Sequence, residues 1–193
     1  MKRNQNSIFS TKRLVLMAAL TAMYIVLMGT LSIKASDTLR ISFETVPLCL
    51  AGMWLGPVGG VIVALMSDFL GAVLFYGSWF PPIGLGPAML AAMCGWSTKY
   101  IFHSSLSETK DTWKVIVITV VAGIINALVI GVITTTLYQM IVIGKDDAFT
   151  ALAAANFAGR IATKPFVIAA CSVLTALINR AVYRPVVGRM LER

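Results

Sequence analysis

The stretch Thr45-Val-Pro-Leu-Cys-Leu-Ala-Gly-Met-Trp-Leu-Gly56-Pro57-Val-Gly59-Gly60-Val-Ile-Val-Ala-Leu-Met-Ser67-Asp68-Phe69 carries one charge, Asp68, and from Phe69 to Thr98 there is no other. A hydrocarbon core about 30 Å thick needs about 20 apolar residues per helix. The uncharged runs on either side of Asp68 are therefore long enough to enter a membrane. Gly56-Pro57 with Gly59-Gly60 interrupts the first run, and Pro81-Pro82 interrupts the second. This punctuation predicts a short helix over 46–55 and longer ones over 58–76 and 83–102.

Upstream, Leu14 to Ile33 is uncharged and follows a basic flank. It is longer than the apolar region of a signal peptide and lacks a small-residue cleavage site, so it predicts a first membrane helix over 13–33. Downstream, the polar segment His103 to Lys114 precedes the uncharged run Val115–Gly144, which predicts a tilted helix over 115–143. A last helix is expected over 156–180, with Arg160 and Lys164 about one turn inside its outer end. The fold class expected is an all-α integral membrane protein, one compact domain over 1–193 built as a bundle of six transmembrane helices.

Composition agrees. Of the 193 residues 58% are hydrophobic and 12% charged, against about 45–50% and about 25% in soluble chains; the mean hydropathy is +0.85. The net charge of +8 does not indicate nucleic acid, because the basic residues sort by loop. Lys2, Arg3, Lys12, Arg13, Lys99, Lys110, Lys114, Arg180, Arg184, Arg189 and Arg193 fall at the termini and the central loop, while Lys34, Arg40, Lys145, Arg160 and Lys164 fall on the opposite side. Positive charge favours the cytoplasm, so both termini are expected there.

The five outer cations invite a function. Lys34 and Lys145 sit beside acidic residues and read as a solvated face. Arg40 precedes the second helix, and Arg160 and Lys164, four apart, share a helix face. These three either converge on an anionic ligand or extend to lipid head groups. Phe43, Tyr76, Trp79 and Phe80 lie on the same side. Each could belong to an interfacial aromatic belt, yet rings beside cations could also hold a planar heterocycle bearing carboxylates. Asp68, deep between apolar runs, is either a proton or substrate site or a structural carboxylate. Ala18 and Ala22 give the first helix a small-xxx-small face, suited to close helix packing within the chain or to docking another membrane subunit.

Enzyme signatures are missing from the sequence. Its Gly-Lys pair, Gly144-Lys145, is followed by Asp146 and forms no phosphate loop. His103 is the single histidine, and Cys49, Cys94 and Cys171 lie in apolar runs without a CxxC pair, as buried free thiols do. No metal, cofactor or catalytic residue is expected.

Six helices in a chain of this length, the AxxxA face, and the segments Arg40-Ile-Ser-Phe-Glu-Thr-Val-Pro47, Ala51-Gly-Met-Trp-Leu-Gly-Pro57 and Ser67-Asp68-Phe-Leu-Gly71 resemble the S components of energy-coupling-factor (ECF) vitamin importers. The segment from Arg40 to Gly71 is most similar to the folate branch; Glu44 and Pro82-Ile-Gly-Leu-Gly-Pro87 depart from its pattern and leave the vitamin open, pantothenate being one other. The resemblance implies a bacterial plasma-membrane subunit that binds a vitamin with high affinity and topples to carry it inward. It implies as partners a transmembrane coupling subunit and two cytoplasmic ATPases, with Ala18 and Ala22 at the docking face. A pterin would stack on Phe43, Trp79 or Phe80, and its glutamate carboxylates would meet Arg40, Arg160 or Lys164. A self-sufficient secondary transporter is the alternative of another class, although the two halves lack the likeness expected of inverted repeats.

Overall fold

A computed structural model describes residues 10–30, 32–34, 40–101, 112–142, 144 and 148–183. Lys2, Arg3, His103, Lys110, Lys145, Asp146, Asp147, Arg184, Arg189 and Arg193 lie outside the described residues, and of Lys34 and Arg40 only the backbone is described.

Helix α1 (Thr11–Thr30) buries Leu16, Met17, Leu20, Tyr24 and Met28, spaced three or four apart along one stripe. Its other face, with Val15, Ala18, Ala19, Ala22 and Val26, is exposed. The helix stops short of the expected residue 33 because the chain then turns into a ribbon. Strand β1 (Ser32–Lys34) pairs antiparallel with β2 (Arg40–Ser42), Ile33 opposite Ile41. This ribbon occupies what reads in the sequence only as a polar connection.

Helix α2 (Thr45–Tyr76) contains the expected break. Gly56 has φ 80° and ψ 177°, a backbone region open essentially to glycine alone. There the chain folds back on itself. A Cβ built on Gly60 would lie 2.7 Å from the Gly52 Cα, whereas two residues eight apart in a straight helix are separated by about 12 Å. The limb 45–55, about 16 Å long at 1.5 Å per residue, is too short to cross a bilayer. The limb 57–76, about 30 Å, is long enough.

Gly77 (φ 70°) ends α2, its N–H donating to the Val73 carbonyl at 3.2 Å. Phe80 is extended, and Pro81 opens α3 (Pro81–Trp96), which continues as a π turn over Ser97–Ile101. Proline suits that position because the first N–H groups of a helix have no partner within it. Helices α2 and α3 meet backbone to backbone. A Cβ at Gly52 would strike the Ala91 carbonyl, and one at Gly95 would lie 2.6 Å from the Pro57 nitrogen.

The expected helix over 115–143 is a helix interrupted once. Helix α4 (Thr112–Ile125) passes through a π turn at Asn126–Ile130 into α5 (Gly131–Ile141). Helix α6 (Phe149–Val182) starts seven residues before the expected 156. The alanines of Ala151-Leu-Ala-Ala-Ala155, with high helix propensity, extend it toward the N-terminus. Arg160 consequently sits three turns inside α6 rather than one.

Four helical stretches are long and apolar enough to cross a membrane: Thr11–Thr30, Thr45–Tyr76, Thr112–Ile141 and Thr163–Val182. Large apolar side chains point outward, among them Leu74, Val121, Val129 and Phe166, the last 80% exposed. Ser67, Asp68, Thr119, Thr136, Gln139, Asn156, Thr175 and Asn179 are buried. Polar groups inside and hydrocarbon outside is the arrangement a lipid solvent demands. The interior pairs are specific: the Trp54 Nε1–H donates to Asn179 Oδ1 at 2.7 Å, and Asn156 Nδ2 donates to Gln139 Oε1 at 2.8 Å and to Thr136 Oγ1 at 3.1 Å. Cys49, Cys94 and Cys171 are free and buried, as expected.

Candidate functional site

Polar and aromatic residues between α2 and α3 gather around the first turns of α3. Trp79 donates its indole N–H to Asp68 Oδ2 at 2.8 Å. Its ring meets Phe69 edge-on, with centroids 5.3 Å apart. Asp68 is 7% exposed, and a Cβ at Gly84 would come within 3.1 Å of its Oδ2 and 3.4 Å of the Trp79 ring. The glycine thus leaves α3 bare where carboxylate and indole need the space. Asp68 is in this way tied to an aromatic residue.

Phe80, the next residue, meets Tyr138 of α5 at 5.8 Å in an edge-to-face arrangement. Tyr138 was not singled out in the sequence; an aromatic residue near the end of an apolar run is common in membrane interfaces.

Arg160 reaches from α6 to the π turn. Its Nη1 donates to the Ala127 carbonyl at 3.3 Å and its Nη2 to Thr135 Oγ1 at 2.6 Å. A Cβ at Gly131 would lie 3.1 Å from the guanidinium carbon, so a glycine again makes room. Both acceptors are neutral oxygens, and these bonds orient the positive charge without cancelling it. A π turn often marks a functional position in a helix; here it offers a main-chain carbonyl to a cation. The Arg160 head group is turned toward α5 and the π turn.

Lys164 lies one turn further along α6 and is half-buried. Phe43 packs against the buried core, not among the rings of Trp79 and Phe80. Arg40 stands in β2, which lies beside α6. The structure therefore brings Trp79, Phe80 and Arg160 to the elements surrounding the start of α3, with Asp68 beneath Trp79. Phe43, Lys164 and the backbone of Arg40 fall toward the ribbon side. Among the described residues no group of three His, Cys, Asp or Glu side chains could hold a metal ion.

Ala18 and Ala22 face away from the bundle on α1. Among the described residues they do not pack closely within the chain.

Residues 12–183 match the family model of the ECF transporter, substrate-specific component. The folate transporter FolT of Clostridium novyi (strain NT) is 30% identical over 112 residues, 58% of this chain. The chain spans 63% of the length of that curated relative. A crystal structure of FolT bound with folic acid superposes with a TM-score of 0.64 at 25% identity, covering 86% of this chain and 93% of the other.

Proposed function

The chain belongs to the substrate-specific components of ECF transporters, and on that premise we propose that it binds folate with high affinity and delivers it to an ECF module for import. The observation that carries the reading is the likeness over most of both chains to FolT bound with folic acid, together with two aromatic residues, Trp79 and Phe80, beside an oriented guanidinium, Arg160. A flat pterin stacks on these half-buried rings. The glutamate carboxylates are attracted to Arg160, Lys164 and Arg40, where a planar guanidinium favours two-point recognition. Phe43 borders the pocket from the ribbon side.

The protein is a multi-pass bundle in the bacterial plasma membrane, and its distribution of lysine and arginine favours both termini in the cytoplasm. ATP is hydrolysed on two partner ATPases. The exposed alanine face of α1 meets the transmembrane coupling subunit.

Titration of the purified chain in detergent with folate, followed by tryptophan fluorescence, tests the proposal, with riboflavin, pantothenate and biotin as controls. Saturable quenching by folate alone is the expected result. Quenching by another vitamin instead would retain the carrier role and overturn the folate assignment. No response to any of them from folded protein would overturn vitamin binding itself.

A further inference from the structure

Asn126 opens the π turn between α4 and α5, and its Oδ1 is buried with no hydrogen-bond partner among the described residues. Amide oxygens in apolar interiors are nearly always paired, and an orphan calls for a reason. Packing does not supply one, because the neighbour facing it is bare. A Cβ placed on Gly86 of α3 would still be 3.6 Å from Oδ1, an ordinary contact. Gly86 follows the Trp79-Phe80 corner by two helical turns. On the other side of the same π turn, Arg160 is fixed to Ala127, the residue after Asn126. An acceptor that is shielded from solvent and without a partner among the described residues, near an aromatic corner and a cation, is placed to receive a donor from outside the chain.

We infer that Asn126 is a specificity-determining residue, whose amide oxygen accepts a hydrogen bond from an N–H of the planar heterocycle stacked at Trp79 and Phe80. This rests on the reading of the chain as a folate carrier. It adds that the pocket distinguishes rings by a donor on their edge and not by flatness and charge alone. A site built to pair a ligand N–H discriminates strongly against analogues lacking it, since the acceptor is then left buried and unpaired. Arg160 contributes the complementary polarity, and the π turn holds both groups at one level of the bundle.

The test compares Asn126→Leu, Asn126→Asp and the unsubstituted protein for binding of folate and of 2-desamino-2-methylfolate, which lacks the ring amine. The unsubstituted protein should prefer folate by about tenfold to a hundredfold. N126L should lose most of that preference, through weaker folate binding with analogue binding nearly unchanged. N126D, which keeps an acceptor, should retain much of the preference. Thermal unfolding without ligand serves as the folding control: replacing an orphan amide by leucine should leave the empty protein as stable or more so. Equal loss for both ligands, or unchanged discrimination in N126L, would overturn the role of Asn126 while leaving folate binding intact. An unsubstituted protein that binds no folate would instead overturn the functional reading and this inference together.

Discussion

Asp68 accepts the Trp79 indole N–H at 2.8 Å while itself only 7% exposed. A hydrogen bond to a charged group contributes about 1.5–3 kcal/mol, enough to set where an aromatic ring stands. On the proposed function, Asp68 is thus a positioning residue for the ring-stacking site. Asp68→Leu should weaken folate binding about tenfold to a hundredfold, and Asp68→Asn, which keeps an acceptor, by less. The cycle with Trp79→Phe decides the route of the effect. If Asp68 acts through the indole, D68L should cost little further affinity once Trp79 is gone. An undiminished cost in the W79F background would mean that Asp68 acts elsewhere. Depth in an apolar run was enough to mark Asp68 in the sequence, because charge there is expensive. Its partner eleven residues away was not legible, since indoles at membrane interfaces are common and their orientation depends on the turn at Gly77. Asn126 escaped notice for a similar reason: an uncharged amide interrupts an apolar run too gently to stand out.

Helices were legible wherever composition and breakers agree. The uncharged runs gave all the long helices, and Gly56-Pro57 gave the reversal inside α2, because proline and glycine restrict the backbone locally. Three features depend on tertiary context. The ribbon between α1 and α2 forms from ordinary polar residues. The π turn at Asn126–Ile130 has no compositional mark beyond Asn126 and Gly131. The first turns of α6 are alanine-rich and only mildly apolar, so hydropathy placed the start of that helix too late and Arg160 too near its end. The reversal itself yields a stability prediction. At φ 80° and ψ 177° a Cβ costs about 1–3 kcal/mol, so Gly56→Ala should lower the midpoint of thermal unfolding in detergent by about 2–12 °C. Nothing stands within 4 Å of a Cβ at Gly56, so the cost would be conformational and not steric. Val58→Ala, at a position 56% exposed, is the control and should change it little. An unaltered midpoint in G56A would mean that the two limbs tolerate a different turn.

Among the described residues many large apolar side chains face outward, and small ones face outward on α1 and also on α6, at Ala151, Ala154, Ala155 and Ala158. Leu16, Leu20, Tyr24 and Met28 bind α1 to the bundle, leaving Ala18, Ala19 and Ala22 outward. In lipid there is no hydrophobic drive toward association, and helices join through close packing of small residues. An outward small face gains nothing against mobile acyl chains, but it lets another helix approach. Membership of the ECF substrate-specific components supplies the kind of partner, a membrane coupling subunit, and separates two properties that one chain must combine. On the proposed function, vitamin capture depends on the start of α3 and the π turn, whereas delivery depends on α1. Leucines at positions 18 and 22 (A18L/A22L) should therefore leave folate affinity unchanged in detergent. In proteoliposomes with the coupling subunit and ATPases, the same protein should lose ATP-dependent folate uptake by about tenfold or more, the size of a displaced helix contact of about 1.4 kcal/mol or above. Val121→Leu, at an outward position of α4 that is 50% exposed, controls for bulk added to a lipid-facing surface and should transport normally. Parallel loss of binding and uptake in A18L/A22L would mean that α1 supports the pocket. Normal uptake would place the coupling subunit on another face of the bundle.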